Sequence, residues 1–302
     1  MQIGANGIRL EVDERGPAGG EPLLMIMGLG MQLVAWPEGL VDQLAARGFR
    51  VIRFDNRDIG LSQPFDHLGV PNLAAAALRH AVGLPVASPY RLADLADDCA
   101  ALIAALGLDS AHVCAASMGG MVAQHLAVWH PLRMRSLTLM MTTSGARSLP
   151  QPSLKMRMAL LSRPRHPGDP ASVAEHLVRL HGMIAGPGYP MPEAQRREHI
   201  EAWMRRSHRP GAVLRQLAAI AADGDRTPLL ARIAAPTHVI HGADDPLVPL
   251  ACGQDLARRI RDATLDVIAG MGHDLPESLW PRFVAGIAGA AARAADTTVS
   301  RG

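Results

Sequence analysis

Ser117 closes an apolar run, Ala111 to Ala115, and a helical pattern from Met118 to His130 begins directly after it. A strand that turns into a helix at a serine projects the hydroxyl from a sharp bend. The next backbone N–H is then free to bind an oxyanion. The stretch Cys114-Ala115-Ala116-Ser117-Met118-Gly119-Gly120 approximates Gly-x-Ser-x-Gly, with Ala115 at the first small position. Small residues are needed there because strand and helix approach closely, and alanine exceeds glycine by one methyl. A serine hydroxyl is a poor nucleophile at neutral pH, so chemistry at Ser117 requires a base. A serine that only caps its helix would leave the same local pattern, and the remainder of the chain must decide.

A base and an acid are available in the right places. Gly270-Met271-Gly272-His273-Asp274 follows the strand Thr264 to Ile268, and His241-Gly242-Ala243-Asp244-Asp245-Pro246 follows the strand Thr237 to His241. Ligands of open α/β sheets bind outside the carboxyl ends of the strands, where both loops fall. His273 can take the proton of Ser117. A carboxylate on its other nitrogen would fix the tautomer and stabilise the imidazolium. Either Asp244 or Asp245 could supply it. His241 is the competing histidine, but beside a strand-ending glycine it is expected to pack or bond locally. Met27-Gly28-Leu29-Gly30 follows the buried strand Pro22 to Met27. There the Leu29 N–H would join that of Met118 as the second oxyanion donor, unless the stretch is a plain glycine turn.

The elements that must hold these groups alternate. Strands are expected at Ile8 to Glu14, Pro22 to Met27, Arg50 to Phe54, Ala111 to Ala115 and Ser136 to Met141. Helices are expected at Glu38 to Arg47, Arg91 to Leu106 and Met118 to His130. The pattern resumes with a strand at Thr237 to His241, a helix at Leu250 to Ile260, a strand at Thr264 to Ile268 and a helix at Pro276 to Ala292. Such alternation indicates an α/β protein, a mostly parallel sheet flanked by helices. Between the two halves, from Gly145 to Thr227, no strand is legible, while Ser172 to Ile184 and Glu193 to His208 read as helices. The division is therefore a core of residues 1–144 and 228–302 with a helical insertion at 145–227. The tail Asp296 to Gly302 is polar and expected to fray.

Composition narrows the function classes. With 302 residues, 48% apolar content and a net charge of +2, the chain suits one large globular domain with an insertion. Its arginines are scattered, which points away from nucleic-acid binding and from attraction to a membrane surface. No apolar run reaches spanning length and Met1 to Pro17 lacks a signal-peptide core, so a cytoplasmic location is expected. Cys99, Cys114 and Cys252 have no metal-type spacing and read as buried free thiols. Lys155 is the single lysine, which removes P-loop nucleotide hydrolysis and disfavours Schiff-base chemistry. The other histidines, among them His166, His176, His181, His199 and His208, lack ligand spacing and are expected mostly at the surface.

Ser117, then an aspartate, then His273 is also the triad order of the α/β-hydrolase superfamily, which this chain resembles from about Ile8 to Ala292. Met27-Gly28-Leu29 with Ala35-Trp36-Pro37, the run Val51-Ile52-Arg53-Phe54-Asp55-Asn56-Arg57-Asp58, and Gly270 to Pro276 are similar to the aclacinomycin methylesterase group and related bacterial carboxylesterases. The family places its acid three residues after the strand-ending glycine, which selects Asp245 and leaves Asp244 as a solvated turn residue. The resemblance implies an α/β-hydrolase fold, a helical cap over a Ser117–Asp245–His273 triad, and hydrolysis of small-molecule carboxylic esters without a cofactor or metal. Acyl transfer, perhydrolysis or C–C hydrolysis on the same triad are the alternatives. A catalytically silent ligand-binding protein is more remote, because no triad member is missing. Dehalogenase and epoxide hydrolase action are disfavoured, since those families resemble this one but carry aspartate where Ser117 stands. Met156, Met158, Met183, Met191 and Met204 could line an adaptable apolar pocket or fill the core of the insertion.

Overall fold

The computed structural model describes residues 1–299 and is built on one eight-stranded sheet. In chain order the elements are β1 (Gln2–Ala5), β2 (Ile8–Arg15), β3 (Glu21–Ile26), α1 (Glu38–Ala46), β4 (Phe49–Phe54), α2 (Leu73–Ala81), α3 (Leu92–Ala105), β5 (Ala111–Ala116), α4 (Met118–Trp129) and β6 (Met134–Met140). There follow α5 (Leu154–Leu161), α6 (Pro170–Ile184), α7 (Glu193–Arg206), α8 (Pro210–Asp223), α9 (Thr227–Leu230), β7 (Thr237–Gly242), α10 (Leu250–Arg259), β8 (Thr264–Ile268) and α11 (Trp280–Val299). The strand order is β1-β2-β4-β3-β5-β6-β7-β8. β1 pairs antiparallel with β2, and β2 antiparallel with β4; the later neighbours are all parallel.

The central strands are continuous apolar runs because both faces of the sheet are covered. Their side chains alternate between two cores. Leu24, Ile26, Val113 and Ala115 pack with Leu95 and Leu102 of α3 and Val122 and Leu126 of α4. Leu23, Met25, Cys114 and Ala116 pack instead with Leu40 and Leu44 of α1 and Phe283 and Ile287 of α11. Each fully buried side chain of leucine size stabilises the fold by roughly 1.5–3 kcal/mol. β5 lies between β3 and β6, so its carboxyl end, where Ser117 sits, is central in the sheet.

Several expectations shift at their edges. β1 was not anticipated, because a short edge strand with exposed polar residues has no apolar alternation to read. Nor was α2, an alanine-rich helix in which only Ala76 is buried. β6 starts at Met134, two residues before the expected Ser136, and α6 starts at Pro170, where the Asp169 carboxylate accepts the N–H groups of Ala171 and Ser172. At the carboxyl end α11 continues to Val299, past the expected stop at Ala292 and into the stretch expected to fray. The rest of that expected tail, residues 300–302, lies outside the described residues. Between β6 and β7 the described residues form only helices, α5 to α9. Cys99, Cys114 and Cys252 are all free and buried. Burial pushes the Cys99 thiol well above its ordinary range, that of Cys114 up to about 12, and that of Cys252 upward as well. Among the described residues no helix is long and apolar enough to cross a membrane.

Candidate active site

Ser117 holds a backbone conformation that L-residues rarely adopt, with φ 54° and ψ −121°. Such a conformation costs on the order of 1–3 kcal/mol and persists only where neighbours enforce it. Here the Ser117 N–H donates to the Met140 carbonyl at 3.0 Å. Its own carbonyl accepts from Gly120 N–H at 2.9 Å and from Thr142 Oγ1 at 2.7 Å. The glycine two residues on is required by space. A Cβ on Gly119 would lie 2.2 Å from the Ile26 carbonyl oxygen, against the end of β3.

The three side chains selected from sequence meet. His273 Nε2 lies 3.0 Å from Ser117 Oγ, and His273 Nδ1 lies 2.8 Å from Asp245 Oδ2. With Nδ1–H donating to the carboxylate, Nε2 is left to accept the serine proton. The other carboxylate oxygen of Asp245 accepts the N–H groups of Leu247 and Val248, both at 2.8 Å, and the side chain is fully buried. His241 is no rival base. Its Nε2 donates to the Val248 carbonyl at 2.8 Å, the ring is fully buried against Gly253, and burial lowers its pKa. Asp244 is exposed yet does more than solvate a turn. Its carboxylate accepts the Gly270 N–H at 2.8 Å, and its N–H donates to the Met271 carbonyl, so it holds the histidine loop.

Leu29 sits in the turn Gly28–Met31, closed by Met31 N–H donating to the Gly28 carbonyl. A Cβ on Gly28 would stand 3.1 Å from Ser117 Cβ, so this turn passes directly over the serine. Among the described residues the N–H groups of Leu29 and Met118 have no protein acceptor.

The run Asp55-Asn56-Arg57-Asp58, noted in sequence only for its resemblance, acts as scaffolding for that turn. Asn56 Nδ2 donates to the Met27 carbonyl, and Asp55 accepts the N–H groups of Leu33 and Leu61 together with Arg206 Nη1. Arg57 pairs with Asp98, and Asp58 takes both arms of Arg215 at 2.6 and 2.9 Å. Gln32 adds two bonds from its Nε2 to the carbonyls of Trp203 and Ser207.

Three residues near the triad were not singled out in sequence. Gln216 on α8 accepts the Gly30 N–H at 2.8 Å. Asp274, next to His273, is pushed up to about 6, chiefly by burial. His181 on α6 was grouped with the surface histidines, but it is half-buried. It is pushed down to about 4 by burial first, then by Arg196 and His273, and its ring lies 5.5 Å from that of Trp203. His166, His199 and His208 are exposed as expected. A signal for the first and third existed. Gln216 falls in the buried stripe Ala212, Arg215, Gln216, Ala219, and His181 continues Ala174 and Val178 at helical spacing.

The helical segment grips the histidine loop backbone to backbone. His273 N–H donates to the Ile184 carbonyl at 2.8 Å, and Gly188 N–H to the Gly270 carbonyl at 2.9 Å. A Cβ on Gly186 would lie 2.2 Å from both the Gly270 oxygen and the Gly272 nitrogen, so only glycine permits the contact. The methionines divide. Met204 packs with Ala174, Val178 and Ile200 in the segment's own small core, Met156 is buried, and Met158 and Met183 are exposed. A cleft of about 760 Å³, lined by Arg165, Asp169, Glu175 and Arg197 among others, borders none of the residues around Ser117.

A strained serine elbow at the centre of this sheet, facing a histidine and an aspartate from the following strand ends, defines an α/β hydrolase. Residues 21–172 match the α/β hydrolase fold family, and the chain belongs to it. It is 30% identical to rhodomycin D methylesterase DauP of Streptomyces sp. (strain C5), over 88% of this chain and 89% of that protein. It is 26% identical to a 2-hydroxy-6-oxononadienedioate/2-hydroxy-6-oxononatrienedioate hydrolase of Paraburkholderia xenovorans (strain LB400), over 90% and 87%. In fold it is similar to the meta-cleavage product hydrolase CumD of Pseudomonas fluorescens IP01, with a TM-score of 0.70, 19% identity and 94% of each chain covered.

Proposed function

We propose that this hydrolase is a serine carboxylesterase acting on small to medium apolar esters through an acyl-enzyme. Ser117 Oγ attacks the ester carbonyl as His273 Nε2 takes its proton, and the bond from Nδ1–H to Asp245 steadies the imidazolium that forms. The N–H groups of Leu29 and Met118 receive the oxyanion. His273 then gives the proton to the departing alcohol. In the second half it draws a proton from water, whose attack on acyl-Ser117 releases the acid. Residues 145–227 serve as the cap that selects the ester. The observation that carries this reading is the unbroken path from Ser117 Oγ through His273 to Asp245, at 3.0 and 2.8 Å. Similarity to a methylesterase over 88% of the chain supports the ester as the bond broken.

A second reading keeps the triad and replaces the ester by a carbon–carbon bond beside a ketone, favoured by the likeness to the P. xenovorans hydrolase. Fluorophosphonate labelling followed by peptide mapping, then a p-nitrophenyl ester chain-length series, tests both. Labelling at Ser117 with turnover of short and medium esters is the expected result. Ser117→Ala should leave only a residual rate, roughly 10³–10⁴ over water. Undiminished turnover in that variant overturns the serine mechanism, whereas a labelled serine that turns over vinylogous diketones and no ester moves the assignment to the second reading.

A further inference from the structure

Gln216 is fully buried, and its two amide atoms are treated differently. Oε1 accepts the Gly30 N–H at 2.8 Å, while Nε2 has no partner among the described residues. Burying an unpaired amide donor is unfavourable, and leucine or methionine would fill the same place without that cost. What a glutamine supplies there is the carbonyl that Gly30 uses. Gly30 directly follows Leu29 and has φ +68°, and a Cβ on it would lie 3.0 Å from the Val213 side chain, so α8 presses on this turn. Asn56 Nδ2 holds the turn from the sheet side through the Met27 carbonyl, and Met31 N–H closes it on Gly28. The bond from Gln216 fixes the peptide on the far side of Leu29 and comes from the helical segment.

We propose that Gln216 is a positioning residue for the oxyanion hole: by holding Gly30 it sets the direction of the Leu29 N–H toward the substrate carbonyl. The inference rests on the serine-esterase reading of Ser117. Removing an oxyanion donor outright costs about 10²–10³ in kcat, so losing its positioner should cost less. Because an oxyanion hole stabilises charge that develops in the transition state, the loss belongs in kcat rather than KM. It should also appear in the rate at which a fluorophosphonate labels Ser117, since that reaction passes through a similar oxyanion.

The experiment compares Gln216→Met, Gln216→Glu and Val213→Ala with the parent on p-nitrophenyl butyrate. Gln216→Met should lower kcat roughly 10–100-fold, with KM within about threefold and labelling of Ser117 slowed in parallel. Its melting temperature should stay close to the parent's, because the variant removes one unpaired buried group and creates another. Gln216→Glu keeps an oxygen acceptor for Gly30, and burial favours its neutral carboxyl there. It should keep kcat within about threefold of the parent, rescuing the loss seen in Gln216→Met. Val213→Ala loosens α8 against the same turn without touching the hydrogen bond, and should keep the parent's kcat. Unchanged kcat in Gln216→Met, or a loss in Gln216→Glu as large as in Gln216→Met, overturns the proposal. So does an equal loss in Val213→Ala, which would assign the effect to packing. Absence of labelling at Ser117 in the parent would instead strike the esterase reading itself.

Discussion

The two ends of the helical segment meet the rest of the molecule in opposite ways. At the α7–α8 end, charge is buried: Arg215, 1% exposed, pairs with fully buried Asp58, and Arg206 pairs with fully buried Asp55 at 2.7 Å. Ser207 and Arg209 add bonds to the carbonyls of Gly60 and Ser62. At the α5 end the helix is capped by Ser153 and anchored by Met156, while Leu154, Met158 and Leu161 are 73%, 62% and 74% exposed. Apolar contact alone can slide, whereas an arginine fork seated on a buried carboxylate has one geometry. The end that is pinned is the end that touches the turn over Ser117. Pinning it there separates placement of the proposed oxyanion donors from any movement of α5.

Removing the pin should have the largest effect. Arg215→Met leaves the Asp58 carboxylate buried beside Tyr90 with no cation, which should cost about 3–5 kcal/mol in urea unfolding. Adding Asp58→Asn should recover part of it, because asparagine removes the buried charge, tolerates the φ of +74° at this position and keeps an acceptor for Tyr90 and Phe65. A single variant costing under about 1 kcal/mol would place the anchor elsewhere. Gly186→Ala comes next. Its methyl must displace the histidine loop, so we expect about 1–3 kcal/mol of destabilisation and a fall in kcat at unchanged expression. Unaltered kcat would show that the joint does not govern where His273 sits.

Asp274 sharpens the comparison through pH. A carboxyl held near 6 in the folded chain and near 4 when unfolded stays protonated longer in the fold. Between those values the folded state binds more protons, so its contribution to stability falls as pH rises from about 4 to about 6. Asp274→Asn should therefore gain melting temperature relative to the parent across that window and hold a constant lead above it. His181, pushed down to about 4, acts in the opposite sense, losing stability as pH falls from about 6.5. It is present in both proteins and cancels. A difference between the two that does not vary with pH would contradict the assignment. The smallest effect belongs to α5: Leu161→Gln should change stability by less than about 0.5 kcal/mol. Trypsin should cut first at Lys155, Arg157 or Arg163 rather than in α7 or α8. Early cleavage in α8 would reverse the contrast drawn above.

What could be read from sequence follows from how local each signal is. The elbow, the histidine loop and the central strands were legible because a strand buried on both faces is an unbroken apolar run, and each motif lies at its end. Asp245 needed the family's spacing, since Asp244 carries the same group one residue away. Gln216, His181 and Asp274 were not legible as parts of the site, because their surroundings are made by chain that is distant in sequence: Gly30 for the glutamine, the histidine loop for His181 and the Gly186 backbone for Asp274. The aspartates of Asp55-Asn56-Arg57-Asp58 looked like a family signature, and only their contacts with Arg206 and Arg215 give it a physical reason. Of the methionines weighed between a pocket and the insertion's own core, Met156 and Met204 are packed while Met158 and Met183 are exposed, since composition counts residues without saying which way they face.

The glycine contact between the loop after α6 and the loop bearing His273 also limits how this chain can be recombined. Gly186 and Gly188 belong to the inserted segment, while Gly270 and Gly272 belong to the core, yet neither pair tolerates a methyl group facing the other. A segment from a relative spliced in at β6 and β7 would bring a foreign half of that contact and tilt His273, which rests on it. On the proposed cap and triad, substrate preference and base placement are thus inherited as one block. A functional chimera needs its second junction beyond Asp274, so that both halves of the joint come from the same parent.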